Sequence, residues 1–263
     1  MRDEREVGGA WASFQTHTTV VPSPDLAPFV ARYWIVRWDL RGQEPYRQLV
    51  TPYPQVHLSF VDDQPGRVHG VVRGHGFRTL AGAGRVIGAA FRPGGFRPFL
   101  GRSVSTITGR VLAANELFDV ACLQNGLDQD LVRSVEALLR RHRPEPDPTA
   151  DRIAGIVALV EAEPGITSVE ALAGRTGLGV RTLQRLFAEY VGVSPKWVIR
   201  RYRLNGVTQR LAAGRDVDWA AVAAELGYAD QAHLSRDFRG IFGESPTHYA
   251  RRYPPVTVSP HGV

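Results

Sequence analysis

An eleven-residue stretch of this sequence occurs twice in similar form: "GVSPKWVIRRY", Gly192–Tyr202, is followed later by "GESPTHYARRY", Gly243–Tyr253. The two stretches align at an offset of 51 residues, and the same offset places Phe187 on Phe238. The period exceeds that of solenoid repeats, and the pattern occurs only twice. The repeat therefore predicts two copies of one small structural unit.

The repeat extends upstream with an offset of 50 residues. Four positions of the first copy match four of the second: Val169, Leu172, Ala173 and Gly177 with Trp219, Val222, Ala223 and Gly227. The offset changes between Gly177 and Leu183, so the second copy has one extra residue there. Short connections between helices tolerate insertions well. The change of offset therefore indicates a turn between two helices.

Each copy has the signals of a helix-turn-helix. Thr167 or Ser168 can cap the first helix of the first copy, and Asp218 can cap its counterpart. Gly177 and Gly227 lie where these helices must end in a left-handed cap. The second helix of the first copy is expected from about residue 180 to residue 190.

The second helix of each copy is predicted to be amphipathic. Its apolar side chains lie at helical spacing: Leu183, Leu186, Phe187 and Tyr190 in the first copy, and Leu234, Phe238 and Ile241 in the second. The opposite face carries polar side chains: Arg181, Thr182, Gln184 and Arg185 in the first copy, and Gln231, His233, Ser235 and Arg236 in the second. One basic helix face is most often plain solvated surface. Two equivalent faces, joined by a helix from Lys196 to about Leu211, can match successive major grooves about 34 Å apart.

Residues 151–253 resemble the DNA-binding domain of the AraC family of bacterial transcription regulators. The resemblance is carried by "AAELGYADQAHLSRDFRGIFGESPTHYARR", residues 223–252. It implies seven helices, binding to promoter DNA, and base readout by the eight polar residues just named. Promoter DNA is thus the expected partner, with RNA polymerase, a small-molecule effector and a second copy of the chain as further candidates.

Composition and charge agree with that expectation. The 263 residues carry a net charge of +6, and Lys196 is the only lysine among 32 basic residues. Residues 165–253 contain 13 basic and 8 acidic residues, hence +5 of this excess. Arginine pairs bidentately with phosphate and guanine. No 18-residue apolar run is present, and the start "MRDEREVGGAW" lacks a signal-peptide core, so no membrane association and a cytoplasmic location are expected.

The fold class is predicted to be α+β, with a β-rich N-terminal domain and an all-α C-terminal domain. Strand-like stretches fill residues 28–92: "FVARYWIVRWDL", "QVHLSFV", "VHGVVRGHGFRTL" and "RVIGAAF". The pattern turns helical from Asn115. Alternating prolines in Arg143–Ala150 predict an extended linker. The predicted units are residues 1–142, the linker 143–150, the helix-turn-helix domain 151–253 and a tail 254–263.

The N-terminal domain offers two further motifs. His57, His69 and His75 can bind a metal in a cupin-type barrel, but they lack a His-x-His pair and an acidic ligand, so no metal is expected. "RPGGFRPFLG", Arg92–Gly101, is Gly-rich and basic but lacks the Lys-Ser/Thr of a P-loop, and a strand-to-helix turn is favoured. Residues 22–119 resemble the N-terminal domains of some AraC-like regulators, which implies ligand sensing or dimerisation.

An enzyme is the alternative class, and the sequence argues against it. Some regulators join this helix-turn-helix type to alkyl-accepting cysteines, but these need a cysteine cluster, and Cys122 is the single cysteine. A buried structural thiol is the expectation there. The alternative hypothesis for the function is a small-molecule-binding or enzymatic N-terminal domain, with DNA binding as a secondary function. We expect no catalytic residues and no cofactor.

Overall fold

The computed structural model describes residues 14–62, 64–120, 127–212 and 218–252. The expectations for Cys122 and the tail 254–263 lie outside the described residues. Eight strands occupy the N-terminal part: β1 Gln15–Val20, β2 Val30–Asp39, β3 Tyr46–Val50, β4 His57–Val61, β5 Arg67–His69, β6 Gly76–Leu80, β7 Ala83–Phe91 and β8 Val111–Ala113. Nine helices are described: α1 Arg97–Leu100, α2 Asp128–Arg141, α3 Pro148–Ala162, α4 Val169–Thr176, α5 Val180–Tyr190, α6 Pro195–Ala212, α7 Trp219–Glu225, α8 Gln231–Phe242 and α9 Pro246–Arg252. The predicted α+β class is confirmed.

The strands form a six-stranded antiparallel sheet and a two-stranded ribbon. The order of the large sheet is β1-β2-β7-β4-β5-β8, and β3 pairs with β6 in the ribbon. Trp34 and Trp38 of β2 lie opposite Gly88 and Gly84 of β7. A Cβ atom at Gly88 or Gly84 would come within 2.3 or 2.4 Å of the facing indole ring. The glycines thus allow both indoles to lie flat on the sheet.

The predicted strand stretches are largely confirmed. β2, β4 and β7 lie within or across three of them, and "VHGVVRGHGFRTL" divides into β5 and β6. Strands β1, β3 and the short β8 were not predicted, because their alternation of apolar and polar residues is weak. Residues 92–101 form the predicted strand-to-helix turn, because β7 ends at Phe91 and α1 begins at Arg97.

The linker prediction for residues 143–150 is wrong in its last part. α3 begins at Pro148, and the Asp147 carboxylate caps it by accepting a hydrogen bond from the Thr149 N–H at 2.8 Å. Proline suits the first helical turn because its missing N–H would have no partner there. The same residue therefore starts a helix that it was expected to prevent. The division into separate domains stays a prediction.

The C-terminal part contains the seven expected helices, α3 to α9, within the described residues. The bounds of α5 match the prediction, and the joining helix α6 runs slightly longer than expected. Ser168 and Asp218 cap α4 and α7, and Gly177 (φ 67°) and Gly227 (φ 68°) follow these helices in the left-handed conformation. Both predicted helix-turn-helix units are thus formed, α4–α5 and α7–α8.

The repeated eleven-residue stretch is a helix stop followed by a helix start. Gly192 and Gly243 have φ angles of 88° and 78°, which end α5 and α8. The hydroxyl groups of Ser194 and Ser245 then accept hydrogen bonds from the N–H groups of Trp197 (3.2 Å) and His248 (3.3 Å). A proline follows each serine as the first residue of α6 or α9.

One hydrophobic cluster runs through both parts of the protein. It joins the inner side of the large sheet, represented by Phe60 and Phe91, to α2 and to the helix-turn-helix units. Leu183, Phe187 and Phe238 of the repeat are fully buried in it. None of the helices in the described residues is long and apolar enough to span a membrane.

Candidate nucleic-acid interface

Helix α5 presents a polar face to solvent because its other face is buried. Leu183, Leu186 and Phe187 are buried in the hydrophobic cluster. Arg181, Gln184 and Arg185 of the predicted set are exposed, and Thr182 is half-buried. Within the described residues, no side-chain hydrogen bond or ion pair occupies these four residues. The face therefore offers free donors and acceptors.

Helix α8 repeats this arrangement. Leu234 and Phe238 are fully buried, and Phe238 stacks on Phe242 with 4.3 Å between the ring centroids. The predicted outward residues lie on the other side: Gln231, His233 and Arg236 are exposed, and Ser235 is half-buried. His233 also packs its ring edge-on against Tyr228, at 5.1 Å between centroids.

The start of α8 depends on Asp230, a residue that was not among those predicted from the sequence. Asp230 caps the helix, and its carboxylate accepts a hydrogen bond from the His233 N–H at 2.6 Å. An Asp just before the first helical residue is a common capping signal. The cap fixes the first turn of α8, where Gln231 and His233 lie.

The electrostatics of both faces favour an anionic partner. Neither α5 nor α8 has an acidic residue in its first turn, and the Asp230 cap of α8 is the one described carboxylate at either start. Two other arginines of the same region are paired, since Arg175 contacts Glu163 and Arg200 contacts Asp237. Arg181, Arg185 and Arg236 have no such carboxylate among the described residues, so their charges remain available.

Helix α6, which joins the two units, is fixed to the N-terminal part by a buried arginine. The Arg201 Nε donates a hydrogen bond to the Pro52 carbonyl at 2.5 Å, and its guanidinium also contacts Asn205. Its Cζ lies 4.2 Å from the centroid of the Tyr53 ring. Burial lowers the pKa of Arg201. The sequence indicated Arg201 only as part of the repeat, because an Arg-Arg pair is usually exposed.

The two helix-ending glycines also contact the N-terminal part. The Thr108 hydroxyl donates a hydrogen bond to the Gly192 carbonyl at 2.5 Å. A Cβ atom at Gly243 would come within 3.0 Å of the His75 ring, whose Nδ1 lies 3.2 Å from the Gly240 carbonyl. The N-terminal part therefore contacts both α5 and α8 at their C-terminal ends.

The three histidines of the β-rich part lie apart from a metal-type arrangement. His57 and His69 pair across β4 and β5, while His75 contacts α8. Trp34 Nε1 lies 3.3 Å from His57 Nδ1, and Ser59 Oγ lies 2.8 Å from His69 Nε2. Across the described ranges, no group of three or more His, Cys, Asp or Glu side chains is placed to hold a metal ion.

Comparisons with known proteins separate the chain into two matched regions. A family model described as "Helix-turn-helix domain" matches residues 172–252, and one described as "Domain of unknown function (DUF6597)" matches residues 18–113. The HTH-type transcriptional activator RhaS of Escherichia fergusonii is 37% identical over 79 residues, 30% of this chain and 28% of that protein. RhaS of Pectobacterium carotovorum is 33% identical over 76 residues, 29% and 27% of the two chains.

A solved structure, a probable AraC family transcriptional regulator from Rhodopseudomonas palustris, is 28% identical with a TM-score of 0.34. It covers 38% of this chain and 94% of its own. The match to RhaS of E. fergusonii spans only 28% of that relative's length. The match of the helix-turn-helix model over α5 and α8 agrees with the resemblance found in the repeat. The C-terminal part of the chain therefore carries a helix-turn-helix domain of the AraC type.

Proposed function

We propose that the protein is a transcription regulator that binds promoter DNA sequence-specifically through α5 and α8. The observation that carries this proposal is the equivalence of the two exposed helix faces. Both present arginine at the same repeat position, Arg185 in α5 and Arg236 in α8, and neither has an acidic residue in the first turn after its cap. Each helix would enter one of two successive major-groove segments, as recognition helices of this type do.

The residue types suggest a division of roles at the interface. Arg185 and Arg236 suit bidentate contacts with guanine, and Gln184 and Gln231 suit contacts with adenine. His233 lies near the capped start of α8, where base edges are usually read. Hydroxyl groups of Thr182 and Ser235 can bond either base edges or phosphate oxygens, and the Arg181 guanidinium suits phosphate.

We also propose that the N-terminal part regulates this binding rather than performing catalysis. Arg201, Gly192 and Gly243 support this proposal, because their contacts join the β-rich part to α6, α5 and α8. A regulator of promoter DNA acts where that DNA is, so the proposal places it in the cytoplasm. RNA polymerase and a second copy of the chain remain predicted partners.

The proposal is tested by retaining fragments of the source genome on the purified full-length chain and sequencing them. We expect enrichment of a few sites, each with two motifs about one helical turn apart. The affinity should fall steeply as salt rises, because phosphate contacts release counterions. Retention of random fragments without enrichment, or no retention at low salt, would contradict the proposal.

A further inference from the structure

A cavity of about 510 Å³ lies between the six-stranded sheet and the β3–β6 ribbon. This volume is in the range of small-molecule sites. Trp34, Val36 and Trp38 of β2 line one wall, and Leu80 of the ribbon lines the other. The two indoles lie flat over Gly88 and Gly84, so they present a broad apolar surface to an occupant.

One unpaired guanidinium enters this apolar space. Arg78 lies on β6 opposite Gln48 of β3, and both residues line the cavity. Arg78 is half-buried, and its side chain has no hydrogen bond or ion pair within the described part of the chain. Burial is the main cause that lowers its pKa. A partly desolvated cation without a counter-charge is unfavourable until an anion binds it.

The rest of the lining supplies no compensating negative charge. Among the described residues that form the wall, none is Asp, Glu or Lys, and Arg78 is the single arginine. Burial lowers the pKa of His57 and of His69 to about 4, so both rings are neutral at pH 7. They already contact Trp34 and Ser59. The cavity therefore carries a local positive charge in a largely apolar surrounding.

We propose that this cavity binds a small organic acid whose carboxylate pairs with Arg78 and whose apolar, flat body packs against Trp34 and Trp38. Arginine suits this role because its planar guanidinium meets a carboxylate with two parallel hydrogen bonds. The inference deepens the proposed function, on whose regulatory N-terminal part it rests, by assigning the chemical class of the effector.

Three residues that line the cavity also contact helices of the C-terminal part. Pro52 and Tyr53 line the cavity and also hold Arg201 of α6. His75 lines it too, and its backbone N–H donates a hydrogen bond to the Gly240 carbonyl of α8 at 3.2 Å. A ligand that moves either segment would thus change how α6 or α8 is held.

The test measures binding of biphenyl-4-carboxylate and its neutral match, biphenyl-4-carboxamide, to the full chain by saturation-transfer NMR. We expect the acid to bind at least about tenfold more tightly than the amide, because the amide offers the guanidinium no negative charge and only one acceptor oxygen. Arg78→Gln should abolish this preference, whereas Arg78→Lys should retain part of it. Melting curves establish that each variant is folded.

Arg47→Gln is the matched control. Arg47 lies on the neighbouring strand β3 but is exposed, with its Cζ 4.0 Å from the centroid of the Phe77 ring. This variant should keep the preference for the acid. Equal binding of acid and amide, binding of neither at millimolar concentration, or an unchanged preference in Arg78→Gln would overturn the inference. No DNA is present in the assay, so its failure leaves the proposed DNA binding untouched.

Discussion

Gly192 and Gly243 occupy the same position of the two repeats, and both pack against the β-rich part of the protein. Gly192 lies against Val104 and Thr108, and Gly243 lies against His75. Each glycine ends, in the left-handed conformation, one of the two helices proposed to read DNA. The repeat therefore preserves a docking point as well as a turn, and the N-terminal part contacts both helix-turn-helix units at equivalent ends.

The first prediction separates docking from backbone strain at these glycines. Gly192→Ala should reduce the free energy of unfolding more than Gly177→Ala does. Both substitutions cost about 1–2 kcal/mol of stability, because alanine is unfavourable in the left-handed conformation. The φ angle is 88° at Gly192 and 67° at Gly177. Only at Gly192 would the Cβ approach the Thr108 hydroxyl, to 2.9 Å; Gly177 has open space. Urea unfolding of the full chain measures the difference, and equal losses would argue against docking.

The second prediction concerns the buried aromatic residue of each repeat. Phe187→Ala or Phe238→Ala should each lower the free energy of unfolding by about 3–5 kcal/mol, because both side chains are fully buried. Arg239→Ala, at an exposed position of α8, is the control and should change little. Thermal or urea unfolding provides the measurement. Variants with wild-type stability would show that the helical register is wrong.

The third prediction follows from His57 and His69. Their pKa values are lowered from 6.5 to about 4 in the folded protein, so below pH 6.5 the unfolded chain binds more protons. Stability is therefore complete above pH 6.5 and decreases as the pH falls toward 4. Each histidine should lower the free energy of unfolding by about 2 kcal/mol as the pH falls from 7 to 5.

Urea unfolding at several pH values measures this dependence. His57→Gln and His69→Gln should each flatten the curve between pH 7 and pH 5, whatever their stability at neutral pH. His17→Gln, which changes an exposed histidine of β1, is the control for the substitution itself. The same slope in all three variants would mean that neither of the half-buried histidines His57 and His69 is held neutral.

The helical half was predictable because its signals are local. The apolar spacing of Leu183, Leu186 and Phe187 fixed the inward face of α5, and Gly177 marked the end of α4. Pro148 shows the limit of such reasoning, since proline breaks a helix interior but favours a helix start. The chain around it, with Asp147 as a cap, decided between the two.

The β-rich half was less predictable because its features depend on distant pairing. Arg78 and Trp34 face one cavity only because β6 and β2 belong to different sheets that approach each other. The buried Arg201 contacts Pro52, 149 residues away in the chain. No periodicity within either segment indicates such contacts. The sequence consequently predicted the exposed polar faces of α5 and α8 but neither the cavity nor the contacts between the two parts.

The central claim is that the exposed faces of α5 and α8 read base sequence. The most direct measurement compares the full chain with Arg185→Ala and Arg236→Ala on a selected genomic site and on a random duplex, by fluorescence anisotropy at fixed salt. Arg175→Ala, whose side chain pairs with Glu163, is the control. We predict a loss of about 1–3 kcal/mol on the specific site for Arg185→Ala and for Arg236→Ala, with little change on the random duplex. Equal losses on both duplexes, or losses no larger than those of Arg175→Ala, would contradict base readout by these helices.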